Sequence, residues 1–323
     1  MPQIVKTTDA VGLDRRARRV IDSLPALANF SKLSAATARK TYASSRTPYL
    51  WPLDEVAEIV DIAAAGDVPP LRLFRPALRG AVGPAETYLF LHGGGWTVGD
   101  LATYEPLCRR LAHVLRADIL WVDYRLAPEH PFPAPLDDTL AACRWIFANA
   151  ASLGLDATRI GLIGDSSGGN LAAVAALLNR RGELGEKFAA QVLIYPCLDL
   201  TRSHPSHQDF ADGFLLTGAL YRWYVENYLR DRDSEDPLVS PLLADDLAGA
   251  APAIIVHAGF DPLRDEAIAY VGKLRRAGVV AKEIAFADMI HGFLTMGGVL
   301  PQAGDALACI RAALEALPPD SGS

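Results

Sequence analysis

The sequence predicts an α/β fold: a mostly parallel sheet of about eight strands, flanked by helices and carrying a helical cap. Three observations carry this expectation. From about residue 87 onward, short β-branched or apolar runs alternate with longer segments of helical period, the pattern of parallel strands joined by helical crossovers. Half of the 323 residues are hydrophobic, enough to bury one large core. Two segments, 1–50 and 202–235, break the alternation with helical patterns of their own.

Residues 1–50 place apolar residues at helical spacing among many charges and form the N-terminal part of the expected cap. Extended stretches near 56–62 and at "LRLFRP" (71–76), joined by "AAAGDVPP", suit an antiparallel hairpin at one end of the sheet. The following strands are "TYLFL" (87–91), "DILWVDY" (118–124), "RIGLIG" (159–164), "AQVLIYP" (190–196), "AIIVHAG" (253–259) and "AKEIAF" (281–286). Between and after them lie helices near 103–116, 135–150, 167–181, 263–277 and 303–316. The insertion at 202–235 contains "GFLLTGALYRWYVENYLRD", an aromatic-rich amphipathic helix that suits a lid beside a functional edge. The expected division is cap at 1–50, core at 51–201, cap insertion at 202–235 and core again at 236–323.

Charge and composition exclude several functions. With 31 basic and 38 acidic residues the formal net charge is -7, and no basic excess exists to neutralise a nucleic acid. The first twenty residues lack the apolar core of a secretory signal, and no apolar run reaches the length of a membrane span, so a cytoplasmic protein without membrane insertion is expected. Cys108, Cys143, Cys197 and Cys309 are scattered and read as buried thiols. His204 and His207, near Asp209 and Asp212, match no common metal spacing and read as a solvated loop. Neither a metal nor an organic cofactor is expected.

The stretch "IGLIGDSSGGNLAAVAAL" (160–177) runs from a strand through a Gly-Ser turn into a helix. No dinucleotide or nucleotide-phosphate fingerprint occurs in it. Gly164-Asp165-Ser166-Ser167-Gly168 instead matches G-x-S-x-G, which presents a serine on a sharp strand-to-helix turn; Asp165 rules out the alternative register, so Ser166 is the nucleophile. "LHGGGW", directly after "TYLFL", supplies bare backbone N–H groups, and those of Gly93 and Gly94 join that of Ser167 as expected oxyanion donors. A serine hydroxyl needs an imidazole base held by a carboxylate. His291 in "DMIHGF" follows the last strand, whereas His257 lies inside an apolar strand. For the acid, Asp261 in "GFDPLRDEA" is favoured over Asp265, one turn up a helix, and over Asp288, because it lies where a strand ends. As an alternative role, Asp261 would serve as a helix N-cap.

With these residues in hand, the sequence resembles the hormone-sensitive-lipase-like branch of the α/β-hydrolases, the bacterial family IV esterases. The likeness spans about 55–316 through "HGGGW", "DYRLAPEHPFPAPLDD", "GDSSGGNLA", "YPCLDL", "GFDPLRDEA" and "MIHGF" in order. It implies an α/β-hydrolase fold, Ser166, Asp261 and His291 as the triad, Gly93, Gly94 and Ser167 as oxyanion donors, and a cap over the site. This chain has Ser167 where the family commonly has alanine and Asp288 where glycine is frequent. The expected function is hydrolysis of short to medium acyl esters through an acyl-enzyme. The alternatives are amides, carbamates or lactones on the same triad, or ligand binding without catalysis. The substrate pocket is expected to use Trp96, Leu215 and Leu216, with Trp223 and Tyr224 beside them. The last strand, "AKEIAF", offers an edge on which two copies could pair as a homodimer.

Overall fold

Runs of Leu, Ile and Val without polar alternation must be covered on both faces, and every residue of "TYLFL", "DILWV" and "IGLIGD" is buried. The computed structural model describes residues 12–24, 30, 32–78, 80, 83 and 86–317. These runs form the centre of an eight-stranded sheet in it. The strands are β1 (Val56–Ile62), β2 (Leu71–Pro76), β3 (Thr87–Leu91), β4 (Asp118–Val122), β5 (Ile160–Asp165), β6 (Gln191–Ile194), β7 (Ala253–Phe260) and β8 (Ala281–Ile290). Their spatial order is β1-β2-β4-β3-β5-β6-β7-β8. The β1–β2 and β2–β4 pairs are antiparallel, as the hairpin reading requires, and the remaining pairs are parallel. Strand β8 runs on to Ile290, past the "AKEIAF" stretch, because its alternating pattern continues on an edge strand with one covered face.

The helices are α1 (Arg15–Ser23), α2 (Ala35–Arg46), α3 (Leu101–Leu115), α4 (Ala134–Asn149), α5 (Ser167–Leu178), α6 (Ser206–Asp209), α7 (Gly218–Leu229), α8 (Arg264–Arg276) and α9 (Pro301–Glu315). Local chemistry fixes their starts. Asp100 and Thr103 form a reciprocal capping box at α3, and the Thr217 hydroxyl accepts from Leu220 N–H at α7. Helix α5 is buried along nearly its whole length, which its Ala- and Gly-rich sequence allows by letting the helix lie close to the sheet.

Strand order also positions the site. The chain passes from β3 to β4 on one side of β3 and then returns to place β5 on the other side. Leu91 and Gly164 are register partners, so the loop after β3 and the turn after β5 open side by side. A crevice outside the C-terminal ends of strands at such a reversal is where ligands bind in open α/β sheets.

The two segments that broke the strand rhythm are tied down by polar contacts. Arg39 of α2 donates to the carbonyls of Thr97 and Ala127, each at 2.9 Å, and forms a two-point ion pair with Glu129. Trp51 Nε1 donates to Leu294 O at 2.7 Å. In the insertion, the solvated-loop reading of His207 is overturned: its side chain is buried, with Nε2 2.9 Å from the fully buried Glu266 carboxylate of α8. His204 lies 3.4 Å from Asp199. Ser206 is drawn in beside His207, with its N–H donating to Asp265 of α8 at 3.0 Å and its hydroxyl to Pro262 O at 2.6 Å, while Arg202, Ser203, Gln208 and Asp209 are exposed. The first eleven residues of the expected N-terminal cap segment, and the last six of the chain, lie outside the described residues.

Candidate active site

Strand β5 ends at Asp165 and α5 begins at Ser167, so Ser166 alone makes the turn, at φ 55° and ψ -118°. A non-glycine residue is strained there and persists only where its surroundings force it. The flanking glycines show why they are needed: a Cβ on Gly168 would lie 1.9 Å from Leu91 O, and one on Gly164 would lie 2.2 Å from Gly168 O. The turn can be this tight only without those carbons.

The loop after β8 brings His291 to this serine across 125 positions of sequence, with Nε2 2.9 Å from Ser166 Oγ. On its other side, His291 Nδ1 lies 2.7 Å from Asp261 Oδ2 at the end of β7. The second Asp261 oxygen accepts the Leu263 N–H at 2.9 Å. Asp261 does not cap α8, which starts at Arg264 after Leu263; one oxygen orders the turn before the helix and the other faces the imidazole. It is fully buried, and His291 is nearly so. Asp265 instead pairs with Arg264 and receives the Ser206 N–H, and Asp288 binds Gln302 at 3.2 Å. Asp288 lies within β8 and keeps an ordinary strand backbone, so the family's frequent glycine is not required there.

The glycine loop departs from expectation at one position. Gly93 N–H donates to Asp165 Oδ1 at 2.7 Å, so it is committed to the protein and does not face the cavity. Gly94 and Gly95 do line the cavity, at φ 112° and 57°, and no hydrogen bond among the described residues engages their N–H groups. Ser167 N–H, at the first position of α5, has no intrahelical partner. The Ser167 hydroxyl, absent where the family has alanine, accepts Trp96 N–H at 3.2 Å and so fastens the glycine loop to the elbow.

Two groups missed in the sequence hold this loop in place. Asp165 is fully buried and accepts from Tyr104 Oη at 3.2 Å as well as from Gly93; burial pushes its carboxyl up to about 6. His92 stacks between Trp121 and Tyr124, with ring centroids 4.7 and 4.3 Å away, and its Nδ1 lies 2.7 Å from Gly93 O. Burial pushes His92 down to about 4, so the ring is neutral and donates from Nδ1 to that carbonyl. Both residues lie inside the motifs already quoted, as the second residue of G-D-S-S-G and the first of H-G-G-G. Their role was hidden because it depends on a contact between two loops.

A cavity opens over Ser166. Trp96, Leu215, Leu216 and Tyr224 line it, together with Arg46 and Tyr42 from α2. Trp96 stacks flat on Tyr228 of α7 at 4.0 Å and 4°. Trp223, expected at the pocket, packs instead against Phe30 and Tyr224, because adjacent residues on a helix point to different sides.

A buried serine–histidine–aspartate chain on an elbow between β5 and α5, beside a glycine loop at the strand-order reversal, defines an α/β-hydrolase. The profile of a family described as alpha/beta hydrolase fold matches residues 88–295. The chain belongs to this family, in its hormone-sensitive-lipase-like esterase branch. It is 41% identical to the carboxylic ester hydrolase LipN of Mycobacterium tuberculosis over 80% of this chain and 71% of that one. It is 35% identical to an ethyl acetate hydrolase of Pseudomonas putida over 88% and 90%. Among solved structures, an alpha/beta hydrolase from the metagenome of Lake Arreo superposes with a TM-score of 0.88 at 38% identity, over 94% of this chain and 98% of that one.

Proposed function

We propose that the protein is a serine carboxylesterase acting on short to medium acyl esters through an acyl-enzyme. The single observation that carries this reading is the continuous contact from Asp261 through His291 to Ser166, at 2.7 and 2.9 Å. Ser166 Oγ attacks the ester carbonyl while His291 Nε2 takes its proton. Asp261 holds the ring with Nδ1 protonated and stabilises the imidazolium. The carbonyl oxygen, now negative, accepts from the N–H groups of Gly94, Gly95 and Ser167. His291 then passes its proton to the leaving alcohol, and water attacks the acyl-serine with His291 again as base. This assignment uses Gly95 in place of Gly93, whose N–H is already bound to Asp165.

The apolar wall of Leu215, Leu216 and Tyr224 supports a preference for short or medium acyl chains. In this reading the cap comprises 1–50 and 202–235. No other strand among the described residues pairs with β8 on its outer side, where Asp14 N–H meets Asp288 O at 3.0 Å, and this edge supports a homodimer through that strand, which light scattering would test. The four cysteines are free thiols, three of them buried as expected and Cys309 exposed against expectation, which supports a reducing, cytoplasmic setting. No helix among the described residues is long and apolar enough to cross a membrane.

The decisive experiment is hydrolysis of p-nitrophenyl esters from acetate to palmitate by the wild type and by Ser166→Ala. The expected result is turnover highest at the short to medium chains, falling to background in the variant. Equal rates for both proteins would remove Ser166 from the chemistry, and faster cleavage of palmitate than of butyrate would overturn the pocket reading.

A further inference from the structure

Helix α2 carries two arginines toward the body of the protein, and they are treated differently. Arg39 makes four hydrogen bonds, to two carbonyls and to both oxygens of Glu129. Arg46, on the last turn, lines the cavity over Ser166, and no carboxylate among the described residues lies within 4.0 Å of it. Its one hydrogen bond among the described residues is to the Met296 sulfur at 3.4 Å, a weak acceptor, and its guanidinium lies 5.1 Å from the Tyr42 ring centroid. Nε is buried with no partner. A guanidinium cannot shed its proton to escape this situation. A basic residue at a helix C-terminus complements the helix dipole, yet no nitrogen of Arg46 caps a carbonyl of α2. Its Nη2 instead lies 3.9 Å from where a Cβ of Gly292 would be, directly after His291.

We propose that Arg46 is an anion subsite within the substrate pocket, and that the esters this pocket takes best carry a second, ionised carboxylate. The inference rests on the esterase reading and adds the substrate class to it. The planar fork of the guanidinium suits a carboxylate, which would supply the two strong acceptors that Arg46 lacks. Leu215, Leu216, Tyr42 and Tyr224 line the same cavity, and their largely apolar surface limits the water that could screen that pair. The carboxylate can sit on either half of the ester, as in a monoester of a dicarboxylic acid or an acylated hydroxy acid.

The test compares kcat/KM for monomethyl glutarate against dimethyl glutarate, and for acetoxyacetate against propyl acetate, in the wild type, Arg46→Gln and Arg46→Lys. The expected result is that, for at least one pair, the charged-to-neutral ratio falls on the order of 10- to 100-fold in Arg46→Gln. Arg46→Lys should recover part of that loss, which also controls for folding. The pair that responds identifies the half that carries the charge. A ratio that Arg46→Gln leaves unchanged in both pairs overturns the proposal. Calorimetry of monomethyl glutarate and acetoxyacetate with Ser166→Ala, with and without Arg46→Gln, reads binding without turnover. Weakened binding of either anion in the double variant supports the subsite even if the esterase reading fails, and equal binding of both anions refutes it.

Discussion

Replacing Asp165 with alanine separates holding the fold together from holding the oxyanion site in place. The carboxylate accepts from Gly93 N–H at 2.7 Å and Tyr104 Oη at 3.2 Å, in a position without solvent access. Leaving these two buried donors unpaired costs about 1–3 kcal/mol each. Against this, burial pushes Asp165 up to about 6 from the ordinary 3.8, so keeping it ionised at pH 8 costs the fold about 3 kcal/mol, which the alanine variant recovers. The two effects largely offset each other. With net destabilisation of at most about 3 kcal/mol, the melting temperature should drop by no more than about 10 °C. Catalysis has no such compensation. Once Gly93 is released, Gly94 and Gly95 lose their fixed orientation, and loss of a single oxyanion donor lowers kcat by about 100- to 1,000-fold. Asp165→Asn can still accept from Gly93 and should keep most of the activity. Steady-state kinetics on p-nitrophenyl butyrate with parallel thermal melts checks both claims. An alanine variant with kcat within about threefold of the wild type would refute the idea that Asp165 sets the oxyanion loop.

Ser166→Gly should abolish turnover and raise stability by about 1 kcal/mol, because glycine accepts the strained backbone at φ 55° without a side chain; thermal melts against Ser166→Ala isolate the backbone effect. Asp261→Asn should leave the fold intact and lower kcat by about 10⁴-fold, since the imidazole then rests in the wrong tautomer; a fall of less than about tenfold would point to another acid. Glu266, pushed up to about 7 by burial, favours the fold when protonated. Its contribution is full below about pH 4.5 and is lost as pH rises through about 7, so Glu266→Gln should flatten the melting profile over that window.

Much of this architecture was legible in the sequence for a physical reason. Strands covered on both faces must be apolar throughout, and "TYLFL" coincides with β3 from end to end. The elbow was equally plain, because only glycine fits at 164 and 168, and sterics there leave a sequence signature. Chain order then led to His291, which the structure brings to Ser166, and to Asp261, which it brings to His291. Polar burial was harder to read. His207 looks like a loop histidine until α8 places Glu266 beneath it, and Arg46 looks like an ordinary helix-terminal charge until the fold sets it in the wall of the cavity over Ser166. Neither setting is local, so no periodicity records it.

The misassigned oxyanion donor shows where such reasoning stops. Gly93, Gly94 and Gly95 are chemically identical, and each could offer an N–H to a reacting oxygen. What distinguishes them is a neighbour 72 positions away: the Asp165 carboxylate takes the first N–H, and the positive φ of the next two turns the chain across the cavity. In the proposed mechanism, the residue beside the nucleophile thus selects the donors that serve it. It lies there because β3 and β5 are adjacent at the strand-order reversal, with Leu91 in register with Gly164. A sheet in which β3 and β5 were not neighbours could carry the same two motifs and lack an oxyanion site, so the two motifs work together only through the topology that pairs those strands.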